Sequence, residues 1–208
     1  MDTTLQNSST TAASKGIWAR RWWSKPLVFV AALIPLASLV YSLFDNQLGP
    51  NPIEELTHET GEWALRFIVL GLALTPLRVW IKKPWPVQLR RMIGLFAFFY
   101  AAMHFSIYMF LDQQLDLAAI VADVFKRPYI SAGTVAFLIL LPLAITSNRS
   151  MVKRLGKKWA SLHRWVYIAA CAAVVHYVWL AKGDRFEPFV YLAIVMALLM
   201  VRLKRVIA

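Results

Sequence analysis

The chain has 208 residues, of which 59% are hydrophobic and only 16% are charged, and its formal net charge is +12. The charges fall in short clusters between long uncharged stretches, which is typical of a membrane protein and not of a soluble or nucleic-acid-binding domain. The single cysteine, Cys171, has no second cysteine for a disulfide, zinc or iron–sulfur site. We therefore interpret it as a packing residue.

The chain divides into a polar tail and a long apolar region. Residues 1–24 begin with a serine- and threonine-rich segment and predict a disordered cytoplasmic tail. Residues 25–208 contain apolar runs close to the length of about 20 residues that an α-helix needs to cross a bilayer. The segment Leu115–Phe125 is shorter, contains two aspartates and predicts an interfacial helix. The predicted spans are Leu27–Phe44, Trp63–Ile81, Met92–Leu111, Tyr129–Ser147, Trp165–Ala181 and Phe189–Val201.

The distribution of charge predicts the orientation of these spans. With six helices both termini lie on one side of the membrane, and the positive-inside rule identifies the cytoplasmic side. The tails and the connections after the second and fourth runs hold 18 of the 23 basic residues but only one acidic residue, Asp2, of 11. The sequence thus predicts an all-α, polytopic bundle of six transmembrane helices with both termini cytoplasmic.

Two histidines lie inside predicted spans, where an ionisable side chain is costly and usually functional. His104 in the third run and His176 in the fifth each lie 8 residues from an acidic residue at the outer end, Asp112 and Asp184 respectively. At 1.5 Å per residue, both are about 12 Å from that end. Two imidazoles at one depth on two helices can occupy the axial positions of one haem iron. The alternative is that they form hydrogen bonds across a close helix interface.

A second haem site near the inner face is an open possibility. His163 precedes His176 by 13 residues, or about 19.5 Å of helix. The position 13 residues before His104 is Arg91, whose guanidinium stays protonated and cannot ligate iron. We therefore expect a labile inner haem that is held by His163 with a different second ligand or is five-coordinate; the alternative is an interfacial His163 with no ligand role. Arg91 can instead bind a propionate or a phosphate.

Two residues near the outer end of the second run have competing interpretations. Arg66 lies close to the depth of the propionates of an outer haem and can pair with one of them, or it can snorkel to the outer headgroups. His58 precedes this run among several glutamates. It is interpreted as a solvated loop residue or as part of a quinone or partner surface.

Three segments together resemble a known family. They are LTHETGEWALRFIVLGLALTPLR at 56–78, LRRMIGLFAFFYAAMHFSIY at 89–108 and HRWVYIAACAAVVHYVWLAKGD at 163–184. With them the chain resembles, from about Pro26 to Arg205, the MsrQ (YedZ) family, a branch of the ferric-reductase-like transmembrane proteins.

The resemblance implies a haem b protein of the Gram-negative inner membrane, with His104, His163 and His176 as haem ligands. It implies an electron-transfer subunit and not a stand-alone enzyme, taking electrons from quinol or a cytoplasmic flavin reductase. The acceptor that it implies is MsrP, a periplasmic molybdopterin enzyme that repairs methionine sulfoxide. FMN is a further cofactor implied by the resemblance alone. The alternatives are a small histidine-dependent membrane transporter and a scaffold subunit without a cofactor.

The topology is testable with fusions. A reporter that is active only in the periplasm should work when it is fused near Asp184, and it should fail near Lys157 or after Ala208, because basic segments stay in the cytoplasm. Reporter activity in membranes from each fusion strain is the measurement. The reverse pattern would overturn the predicted orientation.

Overall fold

The computed structural model describes residues 6–83, 85–181 and 185–207, with side chains in 25–83, 85–181 and 185–202. Asp184, the residue from which the depth of His176 is counted, lies outside these ranges. Within them the regular structure is entirely helical, which confirms the all-α class. The helices are α1 (Gln6–Phe44), α2 (Pro52–Trp80), α3 (Trp85–Ile107), α4 (Leu117–Lys126), α5 (Pro128–Ile145), α6 (Arg149–Leu155), α7 (Lys157–His163), α8 (Val166–Leu180) and α9 (Glu187–Ile207).

Four of the described helical segments are long and apolar enough to cross a membrane. They are Lys25–Phe44 of α1, all of α2, α3 with the π-helical turn that extends it to Asp112, and α5. Helices α8 and α9 occupy the predicted fifth and sixth spans. A membrane protein is confirmed, while the count of six spans and the cytoplasmic termini stay predictions.

The first helix starts before its predicted apolar run. Residues 6–24, for which the sequence predicts disorder, form the first part of α1, and the apolar part of the helix begins at Lys25. The boundary between residues 24 and 25 therefore marks a change of composition within one helix. Its division of the chain into two regions stays a prediction.

Helix α2 also starts earlier than hydropathy predicts, at Pro52 and not at Trp63. The Asn51 side chain caps it by accepting a hydrogen bond from the Glu54 amide, proline occupies the first turn, and glutamates there suit the positive end of the helix dipole. The solvated-loop interpretation of His58 is therefore wrong, because His58 lies in this helical extension, 3.9 Å from the Glu54 carboxylate.

The connection after α3 contains the predicted interfacial helix. The Asp116 side chain caps α4 by accepting from the Ala119 amide. Leu117, Val121 and Phe125 share one face of α4 and are exposed. An exposed apolar face on a short helix between two spans is typical of a helix lying at a membrane surface.

The bundle is built on two antiparallel helix pairs, α2 with α3 and α5 with α8. Stacked aromatic rings join α2 to α3, with Phe67 and Tyr100 centroids 5.4 Å apart. The pairs meet where Phe105 of α3 stacks on Phe137 of α5 at 4.6 Å. Helix α9 packs against α8 and α2. This arrangement brings the C-terminal end of α3 close to α8.

Tyr100 attaches α1 to this core. Its side chain is fully buried, and its hydroxyl donates to the Ala32 carbonyl at 2.8 Å and accepts from the Leu36 amide at 3.2 Å. Ala32 and Leu36 are the pair that an undistorted helix joins directly. The hydroxyl thus bridges one turn of α1, next to Pro35, and satisfies polar backbone where lipid cannot.

Removing this hydroxyl should loosen α1. We expect Tyr100→Phe to lower the free energy of unfolding by about 1–2 kcal/mol, because the ring packing stays while two backbone groups lose a buried partner. Thermal unfolding in detergent measures the effect, with the exposed Tyr41→Phe as the matched control. Equal stability of the two variants would contradict the bridging role.

Candidate functional site

The structure brings the two intramembrane histidines together. His104 lies near the end of α3 and His176 in α8. Their ring centroids are 6.0 Å apart, and the ring planes cross at 78°. Hydrophobic periodicity alone does not position these rings. The aromatic contact between α3 and α5 and the pairing of α5 with α8 bring their helices together.

Each ring forms a hydrogen bond with a backbone carbonyl on the other helix of its pair. His104 Nδ1 lies 2.8 Å from the Thr57 carbonyl oxygen on α2, and His176 Nδ1 lies 2.6 Å from the Tyr129 oxygen on α5. A carbonyl can only accept, so each Nδ1 carries the proton when the ring is neutral. Each Nε2 then holds a free lone pair, the state in which histidine binds a metal.

Two glycines make this contact possible, and neither is among the site residues predicted from the sequence. A Cβ atom at Gly61 would lie 2.9 Å from His104 Nδ1, and one at Gly133 would lie 2.9 Å from His176 Nδ1. Each glycine follows its carbonyl residue by four positions, and each carbonyl residue precedes its histidine by 47. That repeated spacing is the signal through which the sequence could have shown them.

Arg66 lies in a polar network between α2 and α9. Its guanidinium pairs with Glu62 at 2.5 Å, donates to the Tyr191 hydroxyl at 3.2 Å and lies over the Trp63 ring. Glu62, which directly precedes the predicted second span, lies within α2 and is only 12% exposed. The carboxylate partner of Arg66 in the structure is therefore a protein side chain. The propionate role stays a prediction.

The network continues towards His176. Tyr177, the residue after His176, donates to Glu62 at 2.9 Å and lies 3.4 Å from Glu187 at the start of α9. A cavity of about 300 Å³ opens beside these groups. Its lining combines polar and apolar side chains, namely Arg66, Phe186, Glu187, Val190, Tyr191 and Ile194.

The candidate inner residues do not form an equivalent pair. His163 stacks on Trp159 at 3.9 Å, its Nδ1 donates to the Trp159 carbonyl at 3.2 Å, and its Nε2 lies 3.5 Å from Ser147 Oγ. Burial lowers the pKa of the His163 imidazole, and the positive charge of Arg90 acts in the same direction. Arg91 is exposed on α3.

The described residues contain no cluster of three or more histidine, cysteine, aspartate or glutamate side chains that could hold a metal ion. Two imidazoles are too few for a structural zinc site, which takes four protein ligands. The His104–His176 pair offers two imidazole ligands.

Comparisons with known proteins agree on one family. Residues 60–174 match the family described as "Ferric reductase like transmembrane component". A relative from Herminiimonas arsenicoxydans, the "Protein-methionine-sulfoxide reductase heme-binding subunit MsrQ", is 47% identical over 86% of this chain and 83% of its own length. The protein of the same name from Rhodospirillum rubrum is 49% identical over 85% of each chain. No solved structure gives a significant match. With a ferric-reductase-like domain and relatives this similar over most of its length, the chain belongs to the MsrQ family.

Proposed function

We propose that this chain binds haem b between His104 and His176 and transfers electrons to a periplasmic methionine sulfoxide reductase of the MsrP type. The observation that carries the proposal is the pair of imidazoles with their Nδ1 protons held by backbone carbonyls and their rings 6.0 Å apart. The names of the relatives, which describe a heme-binding subunit, support the same cofactor.

The spacing of the rings suits two axial ligands of one iron. Imidazole nitrogens bind metals at about 2 Å, so two nitrogens on opposite sides of one iron lie about 4 Å apart, and their ring centroids lie about 6 Å apart. A bound porphyrin would complete the coordination that the two imidazoles leave open. Haem held by His104 and His176 would supply a one-electron carrier with no open place for oxygen.

The protein holds the ligands ready for this role. The Thr57 and Tyr129 carbonyls select the tautomer with a free Nε2 and orient each ring before the cofactor binds. A rigid ligand pair changes little between oxidation states, which favours electron transfer. A proton-coupled transporter and a cofactor-free scaffold both predict a colourless protein, so the visible spectrum of the purified protein separates them from this proposal.

We place the chain in the bacterial inner membrane with six spans and both termini in the cytoplasm, as its charge distribution indicates. Electron delivery outward then uses the acidic outer side. Exposed carboxylates there can attract a basic patch on the periplasmic reductase. They include Asp45, Glu54, Glu55, Asp112 and Asp116.

Quinol is the electron donor that we favour over a cytoplasmic flavin reductase. The cavity beside Arg66 has an apolar wall for a quinol tail, and the Glu187 carboxylate can accept a hydroxyl proton from the head. Because Arg66 is already paired with Glu62, the cavity suits a neutral head better than an anionic one. The hydrogen bond from Tyr177 to Glu62 links the cavity to the residue next to His176.

For the inner half we propose at most a weakly held second haem. His163 is engaged by Trp159 and Ser147, and the part of α3 that precedes His104 carries no histidine that could pair with it. Arg91, exposed near the inner end of α3, is available for a propionate or for the phosphate of FMN. Haem and flavin quantification per polypeptide tests both cofactors.

The haem assignment predicts the effect of removing either ligand. His104→Ala or His176→Ala should abolish the low-spin visible spectrum, since the iron is left five-coordinate or unbound, whereas His58→Ala should retain it. Absorption spectra of the oxidised and dithionite-reduced proteins are the measurement. A full low-spin spectrum in His104→Ala would refute the assignment.

The donor assignment predicts a separate effect. Tyr191→Phe removes a hydroxyl from the lining of the cavity, and with it one hydrogen bond that a quinol head could form. It should slow haem reduction by a short-chain quinol about two- to tenfold, since one hydrogen bond contributes about 0.5–1.5 kcal/mol. Reduction by dithionite and the visible spectrum should be unchanged, and the exposed Tyr41→Phe serves as control. Stopped-flow absorbance measures the rates. If quinol reduces the Tyr191→Phe protein at the normal rate, the donor site lies elsewhere.

A further inference from the structure

Gly61 and Gly133 occupy equivalent positions against the two histidine rings. An ideal Cβ at Gly61 would lie 2.9 Å from Nδ1 and 3.0 Å from Cε1 of His104. At Gly133 the corresponding distances to His176 are 2.9 and 3.1 Å. Real Cβ atoms essentially never approach other atoms so closely, so any side chain at either position forces the ring or the helix to move.

Helix geometry explains why the glycine stands four residues after the carbonyl. In a regular helix the carbonyl of residue i points towards residue i+4, whose amide it accepts from. Its second lone pair remains available to an outside donor. A ring that reaches this lone pair from a neighbouring helix must pass over the Cα of residue i+4. Thr57 with Gly61, and Tyr129 with Gly133, meet this condition.

We infer that Gly61 and Gly133 are positioning residues. They let the two axial histidines form hydrogen bonds with backbone carbonyls, and they hold the ring planes nearly perpendicular. The inference rests on the proposed haem function and goes beyond it, because it assigns the orientation and the hydrogen bonding of the ligands. Neither glycine touches the iron. Each acts through the ring that lies against it.

The observed angle has an electronic consequence. The ring planes cross at 78°. Two axial imidazoles with perpendicular planes leave the iron d orbitals that interact with the ligands nearly equal in energy, which gives ferric haem a highly anisotropic low-spin EPR signal. Parallel planes split these orbitals and give an ordinary rhombic signal. The wild-type protein should therefore show the highly anisotropic form.

The hydrogen bonds have a second consequence. A carbonyl that accepts from Nδ1–H makes the imidazole a more basic ligand. A more basic ligand stabilises ferric iron, so the two hydrogen bonds lower the reduction potential of the haem. Displacing either ring from its carbonyl should raise that potential.

The test compares alanine at four helical glycines in the full-length haem protein. Gly71 and Gly94 provide matched controls, because a Cβ at Gly71 comes no closer than 3.7 Å to Ile93 and one at Gly94 meets nothing within 4 Å. Alanine favours a helix over glycine by about 0.5–1 kcal/mol at any of the four. A change in haem binding, potential or EPR signal that is confined to Gly61→Ala and Gly133→Ala therefore does not arise from helix propensity.

We expect Gly61→Ala and Gly133→Ala to shift the midpoint potential to more positive values, to reduce the anisotropy of the EPR signal, and to weaken haem binding by about 10- to 100-fold. Gly71→Ala and Gly94→Ala should match the wild type in all three. Spectroelectrochemistry, EPR of the oxidised protein and haem titration of the apoprotein are the measurements.

Other outcomes distinguish the haem function from the positioning role of the two glycines. A colourless wild-type protein refutes the haem function itself. The positioning role alone is overturned if Gly61→Ala and Gly133→Ala bind low-spin haem with an unchanged potential and EPR signal. It is also overturned if the control variants change by the same amount. If Gly61→Ala and Gly133→Ala fail to accumulate, the wild-type EPR signal tests the inference, since a rhombic signal contradicts the perpendicular rings.

Discussion

The hydrogen bond from a histidine Nδ1 to a backbone carbonyl is the interaction on which the centre of this protein depends. It occurs twice, from His104 to Thr57 and from His176 to Tyr129, and each time it joins the two helices of a pair. In lipid a lone imidazole N–H would be costly to bury. The bond offsets that cost and also determines which nitrogen remains free. Packing of the helix pair and orientation of the imidazole are thus one event.

The repeated arrangement gives the bundle an approximate internal symmetry that side-chain identity conceals. Helices α2 and α3 are joined through Phe67, Phe96 and Tyr100, whereas α8 contributes small side chains such as Ala169 and Ala170, both fully buried. The two pairs nevertheless present histidine, carbonyl and glycine in the same order and at the same spacing. Backbone geometry sets this order, so the packing residues around it are free to differ.

Charged groups in the half of the bundle that holds His104 and His176 are arranged as a network in which each member has a partner. Arg66 is held by Glu62 and Tyr191, and Glu62 also accepts from Tyr177. Pairing lowers the cost of placing a guanidinium and a carboxylate inside a membrane helix. Because Tyr177 follows His176, the network connects the cavity beside α9 with the centre of the bundle. The half of the bundle that holds His163 has no comparable network among its described residues.

The sequence by itself determined the membrane class, most of the apolar spans and the two intramembrane histidines, because hydropathy and the cost of burying an ionisable group are local properties. It misjudged the start of α2, since helix formation continues past the apolar run when a cap and a proline initiate it. Only the tertiary structure decided which groups meet. The carbonyls of Thr57 and Tyr129 belong to the backbone, which no residue type reveals, and Gly61 and Gly133 acquire a purpose only when a ring from another helix lies against them. The partner of Arg66 likewise depends on how far α2 extends and where α9 packs. Contacts of this kind arise from the relative placement of helices, and composition and periodicity carry no information about that placement.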